Sequence, residues 1–113
     1  MTAYVLGHLR TPSSHPDVFE YMERIQATLD PFSGRFRVHG TLPEVLEGEW
    51  RGYAVLIEFP SSEHARRWYG SPAYREILPL RTDHIEASVV LVDGVGPDHD
   101  SAALAARLRA AAV

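Results

Sequence analysis

Residues 3–9 (AYVLGHL) are apolar almost without interruption, so they read as a strand buried on both faces. TPSSHP breaks the run, and Ser14-x-x-Asp17 then offers a helix start. Val18, Met22, Ile25, Leu29 and Phe32 follow at spacings of three and four, with Glu20, Glu23, Arg24 and Gln26 filling the other side. That spacing predicts one amphipathic helix, ended by Pro31 and Gly34. Arg35–His39 alternates strictly, which puts Phe36 and Val38 on one face and Arg35, Arg37 and His39 on the other. Glu44–Glu47 continues or bends that strand, and Gly48 to Gly52 holds a turn. Tyr53–Phe59 (YAVLIEF) is the strongest strand signal, with Glu58 its single charge.

Pro60-Ser61-Ser62 caps a second helix whose apolar side is Ala65, Trp68 and Tyr69, and Gly70 stops it. Ser71-Pro72 starts a further helical stretch with Tyr74, Ile77 and Leu78 inward, which Pro79 ends or kinks. Ala87–Val92 is the fourth strand, closed by Asp93-Gly94. The tail is an alanine-rich helix with Leu104, Leu108 and Val113 as its apolar anchors. Such a helix is weak alone and is expected to dock on the body or on a partner.

The order β-α-β-β-α-β plus a tail predicts an α+β, ferredoxin-like fold: an antiparallel four-stranded sheet with helices on one face and a C-terminal helix. Residues 1–96 form the domain and 97–113 the helical tail. One layer of helices leaves the second face of two-sided apolar strands uncovered. A second copy of the chain would cover it, giving a two-fold homodimer.

At 113 residues the chain fits one domain, and 45% hydrophobic residues supply its core. The absence of cysteine excludes disulfides, thiolate metal sites and a cysteine nucleophile. The opening MTAYVLGHLR lacks a signal-peptide pattern, and no apolar stretch reaches membrane-spanning length, so a cytoplasmic location with no membrane partner is the default expectation. A net charge of −4 argues against nucleic acid as a partner. All 11 basic residues are arginine, the expected footprint of a GC-rich genome unless they cluster.

An ordered set of short motifs then carries a resemblance. It comprises Ala3-Tyr4-Val5, Ser33-Gly34-Arg35-Phe36-Arg37-Val38, and Glu44-Val45-Leu46-Glu47-Gly48-Glu49-Trp50. Ile57-Glu58-Phe59-Pro60-Ser61, Trp68-Tyr69-Gly70-Ser71-Pro72-Ala73-Tyr74, Leu80-Arg81 and Leu91-Val92-Asp93-Gly94 complete it. Through residues 3–95 the chain resembles the bacterial domain-of-unknown-function family numbered 1330, in the dimeric α+β barrel superfamily. The resemblance implies a subunit whose sheet joins its partner's in a barrel, and it implies no settled activity. The superfamily includes cofactor-independent monooxygenases, haem-degrading enzymes, lactone isomerases and proteins without known chemistry. At position 39 the resemblance implies arginine, and this chain has His39.

Candidate chemistry is sparse. His39, at a strand end, is a candidate general acid or base near neutral pH, and Glu58 becomes one if burial raises its pKa. Glu58 is otherwise expected to pair with an arginine: Arg81, or Arg35 or Arg37 across the ladder. Arg37 and Arg81 are candidate carboxylate anchors, and Arg81 has a structural alternative as ion-pair partner of Glu58 or Glu47. Tyr4, Trp50, Trp68, Tyr69 and Tyr74 either line an aromatic pocket between sheet and helices or form core. A metal site from His8, His39 and Glu58 lacks any short ligand spacing, and no metal or cofactor is expected. No phosphate loop or nucleophile elbow is present. The balance favours a dimer that binds a small aromatic or carboxylate-bearing molecule without catalysis. The competing expectation is a cofactor-independent monooxygenase- or isomerase-like enzyme using His39 or Glu58.

Overall fold

The computed structural model of the chain describes residues 1–112. The elements are β1 (Ala3–Leu9), α1 (Pro16–Leu29), β2 (Arg35–Thr41), β3 (Tyr53–Phe59), α2 (Ser62–Tyr69), α3 (Pro72–Thr82), β4 (Ala87–Asp93) and α4 (Ser101–Ala111), with a 3₁₀ turn at Asp30–Phe32 after α1. The four strands form one sheet in the order β2-β3-β1-β4. Every neighbouring pair is antiparallel, which is the expected ferredoxin-like arrangement.

Burial follows the periodicity of the chain. Val5, Ile57 and Phe59 rise from the sheet to meet Ile25 and Leu29 of α1, Ala65 and Trp68 of α2, and Tyr74 and Ile77 of α3. The polar atoms caught in this core are satisfied. Trp68 Nε1 donates to Thr28 Oγ1 at 3.0 Å, and Thr28 Oγ1 donates back to the Ile25 carbonyl at 2.7 Å. Ser71 joins α2 to α3: its hydroxyl donates to the Trp68 carbonyl at 2.7 Å and accepts from the Tyr74 N–H at 3.3 Å.

Four local expectations are corrected. The cap of α1 is His15, whose Nδ1 accepts the Asp17 N–H at 3.1 Å, and Pro16 takes the first helical position. α3 does not end at Pro79 but continues to Thr82. Pro79 and Arg75 both lie on the solvent side, so water can satisfy the Arg75 carbonyl that Pro79 cannot bond. Residues 44–47 form no strand and sit in the exposed β2–β3 loop, where Leu46 is 87% exposed.

The fourth correction concerns β2, whose alternation is broken twice. Its pairing with β3 runs Phe36↔Ile57, Val38↔Leu56 and Thr41↔Ala54, with a register shift in each interval. Each shift inserts an extra residue and turns the strand over. Gly40, at φ +78°, supplies the left-handed backbone of the second one. Phe36 and His39 therefore share the helix-facing side. Their rings stack with centroids 4.0 Å apart, whereas simple alternation would place them on opposite faces.

The tail helix α4 is capped by Asp100 but buries no residue, and Leu108 is 61% exposed. Within one chain it does not dock; the expected anchor Val113 lies outside the described residues. Gly52, by contrast, is pinned. At φ +85° a Cβ on it would run into the Leu9 carbonyl oxygen.

Two stability measurements check this account. Truncation after Gly96 is expected to leave a cooperative melt with little change in Tm, since no buried residue of α4 is removed. Gly52→Ala is expected to cost on the order of 2–3 kcal/mol from backbone strain, before any clash with Leu9 is counted, readable by denaturant titration.

Candidate functional site

The sheet register sorts side chains into two surfaces. Val5 pairs with Ile57 and Leu91, and Ile57 pairs with Phe36, so one row crosses the helix-facing side. Arg35, Glu58, Tyr4 and Val92 form a row on the opposite face, beside a second row of Val38, Leu56, Leu6 and Val90. Chemistry on one face is shielded from the other by the sheet itself.

Between the helix-facing side and the helices α1 and α3 lies a cavity of about 600 Å³. Gly7, Val55 and Val89 pave its floor, and Gly7 leaves a gap there: a Cβ would meet only Val55, at 3.6 Å or beyond. Tyr21, Met22 and Ile25 of α1 form one wall, and Trp68 and Tyr74 reach it from α2 and α3. The polar groups on this lining that matter chemically are few: Arg81, the Tyr21 and Tyr74 hydroxyls, and His39.

Arg81 is the anomaly. It is 6% exposed, and no carboxylate of the described residues forms an ion pair with it. The expected pairing with Glu58 or Glu47 is not made. Its guanidinium carbon sits 5.5 Å from the centre of the Tyr21 ring, and the Tyr21 and Tyr74 hydroxyls are 2.8 Å apart. Burial works against the charge of Arg81, and the two phenols outweigh it, holding the guanidinium above its ordinary pKa. Burial, reinforced by Tyr74, pushes the Tyr21 phenol well up, so it is neutral at pH 7. Arg81 therefore meets phenol dipoles and no full negative charge.

His39 lies on the rim of the same cavity, flat against Phe36. Partial desolvation lowers its pKa, favouring the neutral imidazole. The face assignment read from alternation would have separated it from the cavity; the bulges bring it in.

The remaining candidates are elsewhere. Glu58 lies on the opposite face, where its carboxylate accepts from Arg37 Nη2 at 2.9 Å. That hydrogen bond draws the Glu58 pKa below the ordinary carboxylate value. The expected ladder pair is thus formed by Arg37, and neither residue reaches the cavity. Tyr4 faces the same outer side, opposite Glu58. Trp50 stacks on His8 with centroids 3.9 Å apart, and His8 Nε2 lies 2.7 Å from the Arg51 carbonyl. Tyr69 packs against Trp68 and Arg75 outside the cavity lining. Of the five aromatic candidates only Trp68 and Tyr74 line the cavity. The His8–His39–Glu58 metal set is not assembled, because His39 faces the helices.

Sequence reasoning missed Tyr21 and undervalued the position of Arg81. Tyr21 stands three residues after Val18 and four before Ile25, on the buried stripe of α1. Arg81 stands four residues after Ile77 and seven after Tyr74, on the buried stripe of α3. The expected break at Pro79 hid that second spacing.

No curated protein matches the sequence. A family model matches residues 2–95, and its description is a domain of unknown function (DUF1330). Among solved structures, the chain is similar to a protein of unknown function from Rhodopseudomonas palustris, with TM-score 0.65 and 16% identity over 85% of this chain and 84% of that one. It is similar to SnoaB, a cofactor-independent oxygenase from Streptomyces nogalater, with TM-score 0.63 and 11% identity over 88% of this chain and 98% of that one. It is also similar to a dimeric ferredoxin-like protein of unknown function from Jannaschia sp. CCS1, with TM-score 0.60 and 17% identity over 83% of this chain and 100% of that one. At these identities the likeness concerns the fold.

The Arg37–Glu58 pair has a testable pH signature. A carboxyl whose folded pKa is depressed adds stability above its unfolded pKa and loses it as pH falls through the folded value. Glu58→Gln is expected to lower Tm slightly at pH 7. Thermal melts of the two proteins should converge in acid below the folded pKa of Glu58, and high salt should narrow the gap at pH 7 because the pair is partly exposed.

Proposed function

The chain belongs to the DUF1330 family, and from that starting point we propose that it binds a small aromatic carboxylate in the cavity between sheet and helices, without chemistry, as a homodimer. The observation that carries this reading is the buried Arg81, which has no carboxylate partner among the described residues. A charge removed from water costs several kcal/mol unless an opposite charge meets it. The two phenols favour the charged guanidinium but supply no carboxylate, and a ligand carboxylate would meet it through paired N–H···O bonds. The size of the cavity falls within the range used by small-molecule sites. Trp68, Tyr74 and Phe36 supply aromatic surface for a planar body.

The dimer rests on the other face of the sheet. Leu6, Val38, Val90 and Val92 are all exposed there, alongside Leu56. The Arg37–Glu58 pair at its margin gives a second copy a polar contact to register against. The dimeric ferredoxin-like neighbour supports this arrangement. Light scattering is expected to report roughly twice 12.6 kDa, and Leu6→Glu is expected to shift the protein to monomer by placing a charge in the interface core.

A second reading, that the cavity performs cofactor-independent chemistry, is favoured by one residue. His39 is held neutral on the cavity rim, where it could take a proton from a ligand anchored at Arg81. A cofactor-independent oxygenase shares the fold. Glu58 has no part in this version, since it faces away from the cavity and is committed to Arg37. His39→Ala separates the readings: under the binding reading it leaves ligand affinity largely intact and there is no turnover to lose.

The binding reading makes a paired prediction about Arg81. Trp fluorescence titration with benzoate, salicylate and naphthoate, each beside its neutral amide, is expected to favour the acids. Arg81→Gln should weaken acid binding at least about tenfold, a loss of about 1.4 kcal/mol, and leave the amides little changed. Arg81→Met should leave the ligand-free Tm equal or higher, because an uncompensated buried charge is removed. Equal binding of acids and amides, or a large stability loss in Arg81→Met, would show that the guanidinium serves the fold instead.

A further inference from the structure

The loop before α1 and the turn after α3 meet at a second cluster, distinct from the polar groups of the cavity. His15 and Asp17 stand at the N-terminal end of α1, and His84 lies in the turn between α3 and β4. The two imidazoles stack with centroids 3.7 Å apart. His84 Nε2 is 3.0 Å from Asp17 Oδ2, and His15 Nδ1 is 3.7 Å from the same oxygen. One donor atom from each of the three residues lies within 4.8 Å of the others. Among the described residues this is the group of histidines and carboxylates so assembled.

We infer that His15, Asp17 and His84 form a binding site for a borderline transition-metal dication of the zinc class. Two imidazoles and one carboxylate are a donor set suited to Zn²⁺, Ni²⁺ or Co²⁺ and poorly suited to Mg²⁺ or Ca²⁺, which take oxygen donors. Zinc–nitrogen and zinc–oxygen bonds of about 2.0–2.2 Å set tetrahedral donors roughly 3.3 Å apart. The separations of 3.0 and 3.7 Å about Asp17 Oδ2 bracket that value. Each nitrogen's lone pair lies in its ring plane, so the near-parallel rings, 16° apart in the ion-free stack, would have to turn out of it by side-chain rotation to converge on one ion. Bound as ligands, two neutral imidazoles and one carboxylate bring a net charge of −1 to a dication.

Two further features oppose the ion, and both are small. The N-terminus of α1 is the positive end of a helix dipole. His15 Nδ1 also accepts the Asp17 N–H as the helix cap, a bond that coordination would displace. Each is a single weak interaction set against three coordination bonds. Three protein ligands leave a fourth position to water, and His15 is exposed enough to admit it. The site would tie α1 to the α3–β4 turn. Ser13 and Ser14 on one side of this tie, and Arg81 and Ile85 on the other, line the cavity, so the ion would brace the rim without entering the proposed ligand site.

The test uses the full chain without a histidine tag, titrated with ZnCl₂ by calorimetry and followed by thermal melting. Saturable binding of one Zn²⁺ per chain with a raised Tm is expected, and MgCl₂ should do neither. His84→Ala should weaken binding at least about tenfold, while His99→Ala, in the exposed segment before α4, should not. His15→Asn keeps a helix-capping acceptor and removes the imidazole, so loss of binding there reports ligation and not unfolding. In Co²⁺-loaded protein the visible spectrum should carry tetrahedral bands that His15→Asn abolishes. Absence of saturable Zn²⁺ binding, or binding that survives both His84→Ala and His15→Asn, would overturn the site and leave the cluster a hydrogen-bonded contact. Neither result bears on whether aromatic acids bind at Arg81.

Discussion

The Trp68 indole is the piece on which the remaining structure depends. It is 1% exposed, and it meets Phe59 of β3, Tyr74 of α3 and Tyr69 of its own helix, with ring centroids between 4.2 and 6.0 Å. An indole in such a place must still satisfy its N–H. Thr28 on α1 does this, and Thr28 is in turn held by the Ile25 carbonyl one turn earlier. A single side chain thus fixes the height of α2 over the sheet, the rotation of α1 and the approach of α3. With the three helices fixed there, the helix layer closes tightly over the Phe59 end of the sheet. Towards Gly7 and Val55, where the floor is small, it remains open.

The sheet keeps the chemistry beside this opening apart from that of its outer face. Arginine appears on both sides with opposite consequences. Arg37, outside, reaches Glu58 on the neighbouring strand, whose direct ladder partner is Arg35, and is neutralised by it. Arg81, inside, lies among aromatic side chains and phenols and, among the described residues, meets no carboxylate. Had Glu58 fallen one register position away, its carboxylate would have pointed towards the cavity, since a one-residue slip turns every side chain over. The antiparallel register holding Val5 against Ile57 prevents this, and it is fixed by the same apolar residues that build the core.

The bulges of β2 show how a local irregularity determines a site. Strict alternation would have given one face to Phe36 and Val38 and the other to His39. Two inserted residues, one accommodated by the left-handed backbone of Gly40, reverse the strand twice within seven positions. The result is an edge strand that presents Arg35, Arg37 and Val38 outward and Phe36 and His39 inward. Edge strands tolerate such insertions because one side of the ladder is unpaired.

Periodicity alone determined the element order, the four strands, the buried stripes of α1, α2 and α3, and the need for something to cover the outer face. These follow from which residues avoid water, a property each residue carries with it. The Arg37–Glu58 pair was legible for the same reason: antiparallel pairing places the start of β2 beside the end of β3. What only the tertiary structure decided are the contacts that depend on several elements meeting at once. The spacing of Tyr74, Ile77 and Arg81 marks one helical face, but whether Arg81 meets a carboxylate depends on what α1 and the sheet bring to it. The side of the sheet taken by His39 depends on bulges that no propensity scale registers. The meeting of His15 and Asp17 with His84 joins residues at least 67 positions apart, through the packing of α1 against α3. A sequence records each residue's chemistry and local spacing; which chemistries face one another is settled only when the packed helices and the strand register are in place.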